Sequence, residues 1–333
     1  MTGAAVLCGL GTALPPHPVT NADLEALLDT SDAWIRSRTG IGQRYWTDGA
    51  TTGDLATAAA DRALKSAGTG AVDLVVLATT TPDHPCPATA PDVAARLGLG
   101  PVPAFDLAAV CSGFVYGLAT AAGFLGAGLA RSALVIGAET YSTILDPADR
   151  GTRVIFGDGA GAAVLRAGRP DEPGALRGFD LGTDGAQRDL IVVPGGGSRA
   201  RAGRDQSAAE ARSYFTMQGK AVFREAVLRM GASVKTVLAR AAWDPGSISR
   251  LVAHQANERI LRAVADETGV PRDRVVVDLD RVGNTSAASI PLALSRALSA
   301  GRLAAGDRVV LTAFGGGLAW GSTALVWPSV IEG

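Results

Sequence analysis

The chain's 333 residues are enough for two domains of about 150 residues, or for one large layered domain. A composition that is 47% hydrophobic and 19% charged supplies a sizeable core and excludes a disordered chain. The net charge of −1 excludes nucleic-acid binding through a bulk positive field.

Short apolar runs alternate with helical patterns along the chain, which signals an α/β architecture. The reading begins with a strand at Ala5–Gly9 and helices at Asn21–Leu28 and Thr52–Ser66. A strand at Asp73–Thr79, a helix at Ala90–Leu97, a strand at Ala104–Ala108 and a long helix at Ser112–Leu129 follow. Strands at Ser132–Gly137 and Gly161–Leu165 come next, then an exposed Gly-, Arg- and Ser-rich loop at Pro194–Arg212. The remainder reads as a helix at Lys220–Ala241, a strand at Ser249–Ala253, a helix at Glu258–Glu267, a strand at Val275–Leu279, a helix at Ser286–Ser299 and a strand at Asp307–Ala313. The uncharged stretch Leu107–Ala130 is long enough to span a bilayer. Its five glycines, with Cys111, Ser112, Tyr116 and Thr120, favour a buried core helix, and no membrane association is expected.

An internal repeat organises these elements. The order strand, helix, strand, helix, strand over Asp73–Ala138 recurs over Ser249–Ala313, about 170 residues later. Within it, Asp106-Leu107-Ala-Ala-Val110-Cys111 aligns with Asp278-Leu279-Asp-Arg-Val282-Gly283. Two such halves pack as a pseudo-symmetric pair, with equivalent strand ends facing one another. Cys111, His254 and Asn284 all fall where a strand of the repeat gives way to its next helix. In parallel α/β sheets, ligands gather at the carboxyl ends of strands.

Three cysteines (Cys8, Cys86 and Cys111) with no CxxC spacing offer neither a metal site nor a disulfide framework, so a reducing cytoplasm is expected. The N-terminus lacks a basic segment ahead of an apolar run, so no signal peptide is expected. Cys111 opens the long apolar helix, where free N–H groups and the macrodipole lower a thiol's pKa. The competing reading is a buried core cysteine. His17 sits in a Pro-rich turn and His84 in the Thr81–Pro87 loop, whereas His254 stands at a strand tip in Leu251-Val-Ala-His-Gln-Ala-Asn257. A satisfied core histidine is the alternative there, and Asn284 alone reads as a helix N-cap. Gly157-Asp-Gly-Ala-Gly161 lacks the GK[ST] of a phosphate loop and leads into a strand. The glycines of Phe314-Gly-Gly-Gly317 let a backbone N–H come close to a reacting group.

Seven stretches in order go beyond such generic features. They are Thr30-Ser-Asp-Ala-Trp34-Ile-Arg-Ser-Arg38-Thr-Gly-Ile41, Ala109-Val-Cys111-Ser-Gly-Phe114, Asp149-Arg-Gly-Thr152, Ile155-Phe-Gly-Asp-Gly-Ala-Gly161, His254-Gln-Ala-Asn257, Gly283-Asn-Thr-Ser286 and Ala313-Phe-Gly-Gly-Gly317. On them the chain resembles β-ketoacyl-acyl-carrier-protein synthase III, the condensing enzyme of the thiolase superfamily that starts fatty-acid synthesis. The resemblance implies a thiolase-like α/β fold, five layers α-β-α-β-α built from two duplicated halves. Residues 1–166 would carry the nucleophilic cysteine and residues 167–333 the histidine and asparagine. It makes Cys111 the acylated nucleophile and His254 and Asn284 its partners, with an oxyanion hole from the N–H groups of Cys111 and of Gly316 in the Gly315–Gly317 turn. It implies an acyl-coenzyme A donor, malonyl-acyl-carrier protein as acceptor, a homodimer, and no metal or redox cofactor.

Trp34 and Arg150 match the positions that sandwich the coenzyme A adenine, and an indole face and a planar guanidinium suit that role. Arg38 and Arg259 match phosphate contacts, Arg224 stands where the family often has Lys, and Asn257 matches an entrance residue. At Cys86, relatives using small primers usually carry Phe, which reaches across the dimer interface to close the partner's acyl pocket. The smaller Cys86, with Phe156 as a further pocket residue, implies a primer larger than acetyl. Glu258 and Asp266 interrupt the basic helix that would dock an acidic carrier protein. The resemblance implies fatty-acid or polyketide priming, and these departures point within it to a specialised-metabolism member, which either starts a polyketide with a bulky primer or transfers the acyl group onto a hydroxyl or amine of a small molecule. A non-catalytic partner of the chain-length-factor kind would lack the cysteine, so Cys111 argues against it.

Overall fold

The computed structural model describes residues 3–203 and 214–330. A five-stranded sheet contains β1 (Ala4–Ala13), β2 (Val75–Ala78), β3 (Ala104–Leu107), β4 (Ser132–Glu139) and β5 (Gly159–Gly168). Its spatial order is β1-β5-β4-β2-β3, with β2 parallel to both β3 and β4 and the other pairs antiparallel. The second sheet holds β6 (Phe179–Thr183), β7 (Arg250–Ala253), β8 (Arg308–Gly315) and β9 (Ala319–Val326), in the order β6-β9-β8-β7. Here only β7 and β8 are parallel. The two orders superimpose strand for strand, and Val275, bridged to Leu251, takes the place of β3.

The longer helices among the described residues complete the frame: α1 (Asp32–Thr39), α2 (Thr52–Ser66), α3 (Ala90–Arg96), α4 (Gly113–Gly126), α5 (Gly219–Ala241), α6 (Glu258–Thr268) and α7 (Ser289–Ser299). Period-two burial sorts them into layers, because alternate strand residues face opposite sides of a sheet. Val75 and Leu77 pack outward with Leu55, Ala59 and Val93 of α2 and α3. Val76 and Val135 of the first sheet and Leu311 and Leu325 of the second enclose Phe114 and Leu118 of α4 and Ile290 and Leu294 of α7. Val310 and Leu251 face Val234 and Leu261 of α5 and α6. The result is the thiolase-like arrangement of five layers. The division expected at 166/167 falls inside β5, two residues before that strand's end.

Helix α4 is 14 residues long, and among the described residues no helix is long and apolar enough to cross a membrane. Three expectations need correction. Asn21–Leu28 is helical only over Asn21–Glu25, and Phe179–Thr183 is a strand that the sequence reading passed over. The strand expected at Val275–Leu279 is reduced to pairing by Val275 and Val276. The buried Gln255 side chain accepts the N–H groups of Asp278 and Leu279 and so turns the chain into the short helix Leu279–Val282. That turn also shifts the repeat. Val110–Ser112 and Ser286–Ala288 are matching 3₁₀ turns that lead into α4 and α7, and Val110 and Ser286 share φ +48°. Cys111 therefore corresponds to Ala287, not to Gly283. Of the Pro194–Arg212 loop, residues 204–212 lie outside the described residues, and Ser198–Arg201 forms one helical turn.

Candidate active site

The sequence puts Cys111 after β3, His254 after β7 and Asn284 after the Val275 segment, at carboxyl ends in both halves. The structure brings all three to one small, largely apolar cavity, whose walls include Phe156, Ile191, Phe215, Met217, Met230 and Phe314. Phe156 stacks on Tyr141 at 4.6 Å between ring centroids and meets Phe215 edge-on at 4.9 Å. These rings form a rigid floor.

Cys111 sits on a strained turn. Val110 is β-branched yet holds φ +48°, a conformation costing about 1–3 kcal/mol that the surroundings must impose. One constraint is Ser112, whose hydroxyl donates to the Ala319 carbonyl at 2.8 Å. Another is Gly315, at the end of β8: a Cβ there would lie 2.7 Å from the Cys111 nitrogen. Only glycine lets this backbone pack directly on the nucleophile. Gly316 instead lies against Ile191. The sequence reading expects the helix start to lower the thiol pKa, and the structure reverses that sign. Burial pushes the Cys111 thiol up to about 12, with Ser286 hydrogen bonding working the other way and the charge of Glu139 adding to the rise. Desolvating a thiolate in this cavity works against the helix start.

His254 is buried, and burial pulls its pKa down to about 3, so the imidazole is neutral. Its Nδ1 lies 2.7 Å from Ser289 Oγ. The same Oγ accepts the Gln255 N–H at 3.4 Å; with the hydroxyl proton turned to Nδ1, the ring proton would reside on Nε2 and face the cavity. Asn284 is fixed in a comparable way. Its backbone bridges the segment around Phe156, donating to the Ile155 carbonyl and accepting from the Gly157 N–H, both at 2.9 Å. Its Oδ1 accepts the Ser286 N–H at 2.9 Å, which leaves Nδ2 as the uncommitted donor. A Cβ on Gly157 would stand 2.4 Å from the Val282 carbonyl oxygen. The Gly157-Asp-Gly motif thus serves close packing beneath Asn284.

The residues matched to coenzyme A surround this cavity. Arg224 lies on α5 between the lining residues Val222 and Ala226, while Asn257 and Arg259 lie between Ala256 and Ile260. Asn257 caps α6 by accepting the Arg259 N–H and donates to the Arg38 carbonyl, both at 2.9 Å, which ties α1 to α6. Arg38, Arg224 and Arg259 are exposed. Trp34 is half-buried on α1, and the Arg150 guanidinium carbon lies 4.9 Å from its ring centroid. A purine between them needs about 7 Å, two contacts of about 3.5 Å each, so an adenine would have to displace Arg150. Glu258 pairs with Arg262 and Asp266 with Arg272, so both acids are matched by arginines. Cys86 is exposed and does not line the cavity of its own chain; His17 and His84 are also exposed.

Sequence reasoning missed Ser289, Ser286 and Glu139. The serines hide in the small-residue run Gly283-Asn-Thr-Ser-Ala-Ala-Ser289. Glu139 carried a usable signal: a carboxylate closing the all-apolar strand Ala133–Ala138.

Comparison with known proteins shows the family. The family model for the 3-oxoacyl-[acyl-carrier-protein (ACP)] synthase III C terminal matches residues 238–327, and that for 3-oxoacyl-[acyl-carrier-protein (ACP)] synthase III matches residues 105–185. The chain is 69% identical to beta-ketoacyl-[acyl-carrier-protein] synthase III 5 of Streptomyces coelicolor, over 99% of each chain. It superposes on the crystal structure of 3-oxoacyl-(acyl carrier protein) synthase III from Pseudomonas aeruginosa PAO1 with a TM-score of 0.93 at 55% identity, covering 99% of this chain and 100% of that one. The priming β-ketosynthase from the R1128 polyketide biosynthetic pathway gives a TM-score of 0.90 at 34% identity, covering 98% and 96%. With its cysteine, histidine and asparagine gathered at one cavity of a thiolase-like fold, this acyl-transferring enzyme belongs to the 3-oxoacyl-[acyl-carrier-protein] synthase III family.

Proposed function

We propose that the enzyme takes an acyl group from acyl-coenzyme A onto Cys111 and condenses it with malonyl-acyl-carrier protein. The observation that carries this reading is the pair of directed donors beside the thiol. His254 Nδ1 is occupied by Ser289 and Asn284 Oδ1 by the Ser286 N–H, so Nε2–H and Nδ2–H are the groups left for a ligand. Two donors suit an oxygen that gains negative charge, as a malonyl thioester oxygen does when CO₂ departs. A hydrolase would need a base able to activate water, and a histidine with a pKa near 3 is a poor one.

In the first half-reaction Cys111 Sγ attacks the thioester carbonyl, and the N–H groups of Cys111 and Gly316 hold the oxyanion. Collapse expels the coenzyme A thiolate. In the second, malonyl thioester loses CO₂, His254 Nε2–H and Asn284 Nδ2–H stabilise the enolate, and its carbon attacks the acyl-Cys111 carbonyl. The new carbon–carbon bond forms as the Cys111 thiolate leaves. Trp34, Arg38, Arg150, Arg224 and Arg259 would bind the coenzyme A nucleotide and phosphates, with Asn257 holding the rim. No step draws on a metal or redox cofactor, and a cytoplasmic location fits the coenzyme A thioester substrates.

A homodimer fits the exposed Cys86 loop and the half-buried edge strand β3, whose outer side has no strand partner among the described residues. In such a dimer Cys86 would face the partner's pocket and Phe156 its own. The test separates the two half-reactions with a panel of acyl-coenzyme A donors. His254→Ala and Asn284→Ala should retain acyl loading but lose condensation by on the order of 10²–10³-fold. Equal losses in both steps would overturn the donor assignment. Discharge of acyl-Cys111 by small alcohols or amines, but not by malonyl-acyl-carrier protein, would replace condensation with simple acyl transfer.

A further inference from the structure

Asn284 can offer Nδ2–H to an enolate oxygen only while its carboxamide is held one way round. The Ser286 N–H, 2.9 Å from Oδ1, holds it. Ser286 is not glycine, yet it keeps φ +48°, a conformation that costs about 1–3 kcal/mol and persists only where neighbours impose it. Those neighbours lie in the other half of the molecule, on β4. A Cβ at Gly137 would stand 2.3 Å from the Ala287 carbonyl oxygen, so the strand packs directly against the 3₁₀ turn Ser286–Ala288. Two residues further along β4, Glu139 Oε1 accepts the Ser286 hydroxyl at 3.0 Å.

Glu139 is fully buried, and its own position is fixed. Oε2 accepts the Thr80 N–H at 3.0 Å, the Thr81 hydroxyl at 2.9 Å and the Thr79 hydroxyl at 3.4 Å. A carboxyl group is costly to bury, and the rest of the strand from Ala133 to Ala138 is apolar. What Glu139 supplies that an apolar residue could not is the grip on Ser286. Two hydrogen bonds therefore run from β4 to the active site through a single residue: carboxylate to hydroxyl, then N–H to carboxamide.

We propose that Glu139 is a positioning residue for condensation: by holding Ser286 through its hydroxyl, it sets the N–H that aims the Asn284 carboxamide at the malonyl thioester oxygen. The inference deepens the proposed reaction and rests on Asn284 acting there as a donor. Without the Ser286–Glu139 bond the turn relaxes and Nδ2–H moves off its target. A misplacement of about 1 Å costs on the order of 10²-fold, and removing the donor outright, on the order of 10²–10³-fold, sets the ceiling.

The test is a double-mutant cycle on the single turnover of preloaded acyl-enzyme with malonyl-acyl-carrier protein. Ser286→Ala and Glu139→Ala should each slow that turnover by roughly 10–100-fold. Adding Ser286→Ala to Asn284→Ala should slow it no further, because the group being positioned is already gone. A merely structural role predicts losses that multiply, and that result would overturn the inference. So would a Ser286→Ala enzyme that condenses at the wild-type rate, which would show that Asn284 is held without help from β4. Ser286→Ala decides the matter if Glu139→Ala melts early. A wild type that loads acyl groups but never condenses them would overturn the proposed reaction and this inference with it, an outcome distinct from either result above.

Discussion

Replacing Ser289 with alanine isolates the tautomer of His254. Ser289 Oγ is 2.7 Å from Nδ1 and is its only hydrogen-bond partner among the described residues. Without it a buried ring nitrogen is left unpaired, at a cost of about 1–3 kcal/mol. The loss also frees the ring and its tautomer, and a proton moved to Nδ1 or a turned ring removes the Nε2–H donor from the cavity. If the whole penalty falls on the enolate-forming step, condensation slows by about 5–150-fold. Loading should change little, because Cys111 and its oxyanion donors are untouched. The assay preloads the enzyme with acyl-coenzyme A and measures a single turnover with malonyl-acyl-carrier protein, alongside ¹⁵N spectra of labelled histidine. Because burial holds the His254 pKa near 3, the wild-type turnover should show no inflection around the ordinary imidazole value. A Ser289→Ala enzyme that condenses at the wild-type rate with unchanged ¹⁵N shifts would refute the reasoning.

Three further outcomes follow from the geometry. Gly315→Ala places a methyl 2.7 Å from the Cys111 nitrogen and 2.9 Å from its Cβ, so it should lower stability by about 1–3 kcal/mol and impair loading, as thermal melts and mass spectrometry would show. Trp34→Ala should raise KM for acyl-coenzyme A by roughly 5–150-fold, the worth of one base stack, yet leave acyl-pantetheine substrates unaffected; equal effects on both would remove Trp34 from the nucleotide site. Cys86→Phe should shift the accepted range of acyl-coenzyme A donors toward acetyl by adding about 1–3 kcal/mol of overpacking against long chains. An unchanged selectivity profile would show that the Cys86 loop does not gate the pocket.

How far the sequence carries depends on the range of each interaction. The α/β architecture and the duplication were legible because apolar runs alternating with helical patterns, and their repeated order, are local signals; the five layers followed only from the family resemblance. Cys111, His254 and Asn284 were legible because each ends an element of that repeat. The exact correspondence of the halves was not, because the turn Leu279–Val282 is made by the distant Gln255 side chain. The same holds for the residues that set the chemistry. Ser289 reaches His254 from 35 positions away and Ser286 reaches Glu139 from 147, so no window of sequence shows either pair. The upward push on the thiol pKa was missed for a related reason: a helix start is visible in the sequence, whereas the burial that opposes it comes from both sheets.

The nucleophile itself is tested most directly by the intact mass of the protein after brief exposure to acyl-coenzyme A, followed by a chase with malonyl-acyl-carrier protein. Wild type should gain one acyl mass, mapped by proteolysis to Cys111, and lose it in the chase as β-ketoacyl-carrier protein appears; Cys111→Ala should gain nothing. An acyl adduct that persists in Cys111→Ala and disappears in Cys8→Ala or Cys86→Ala would contradict the account.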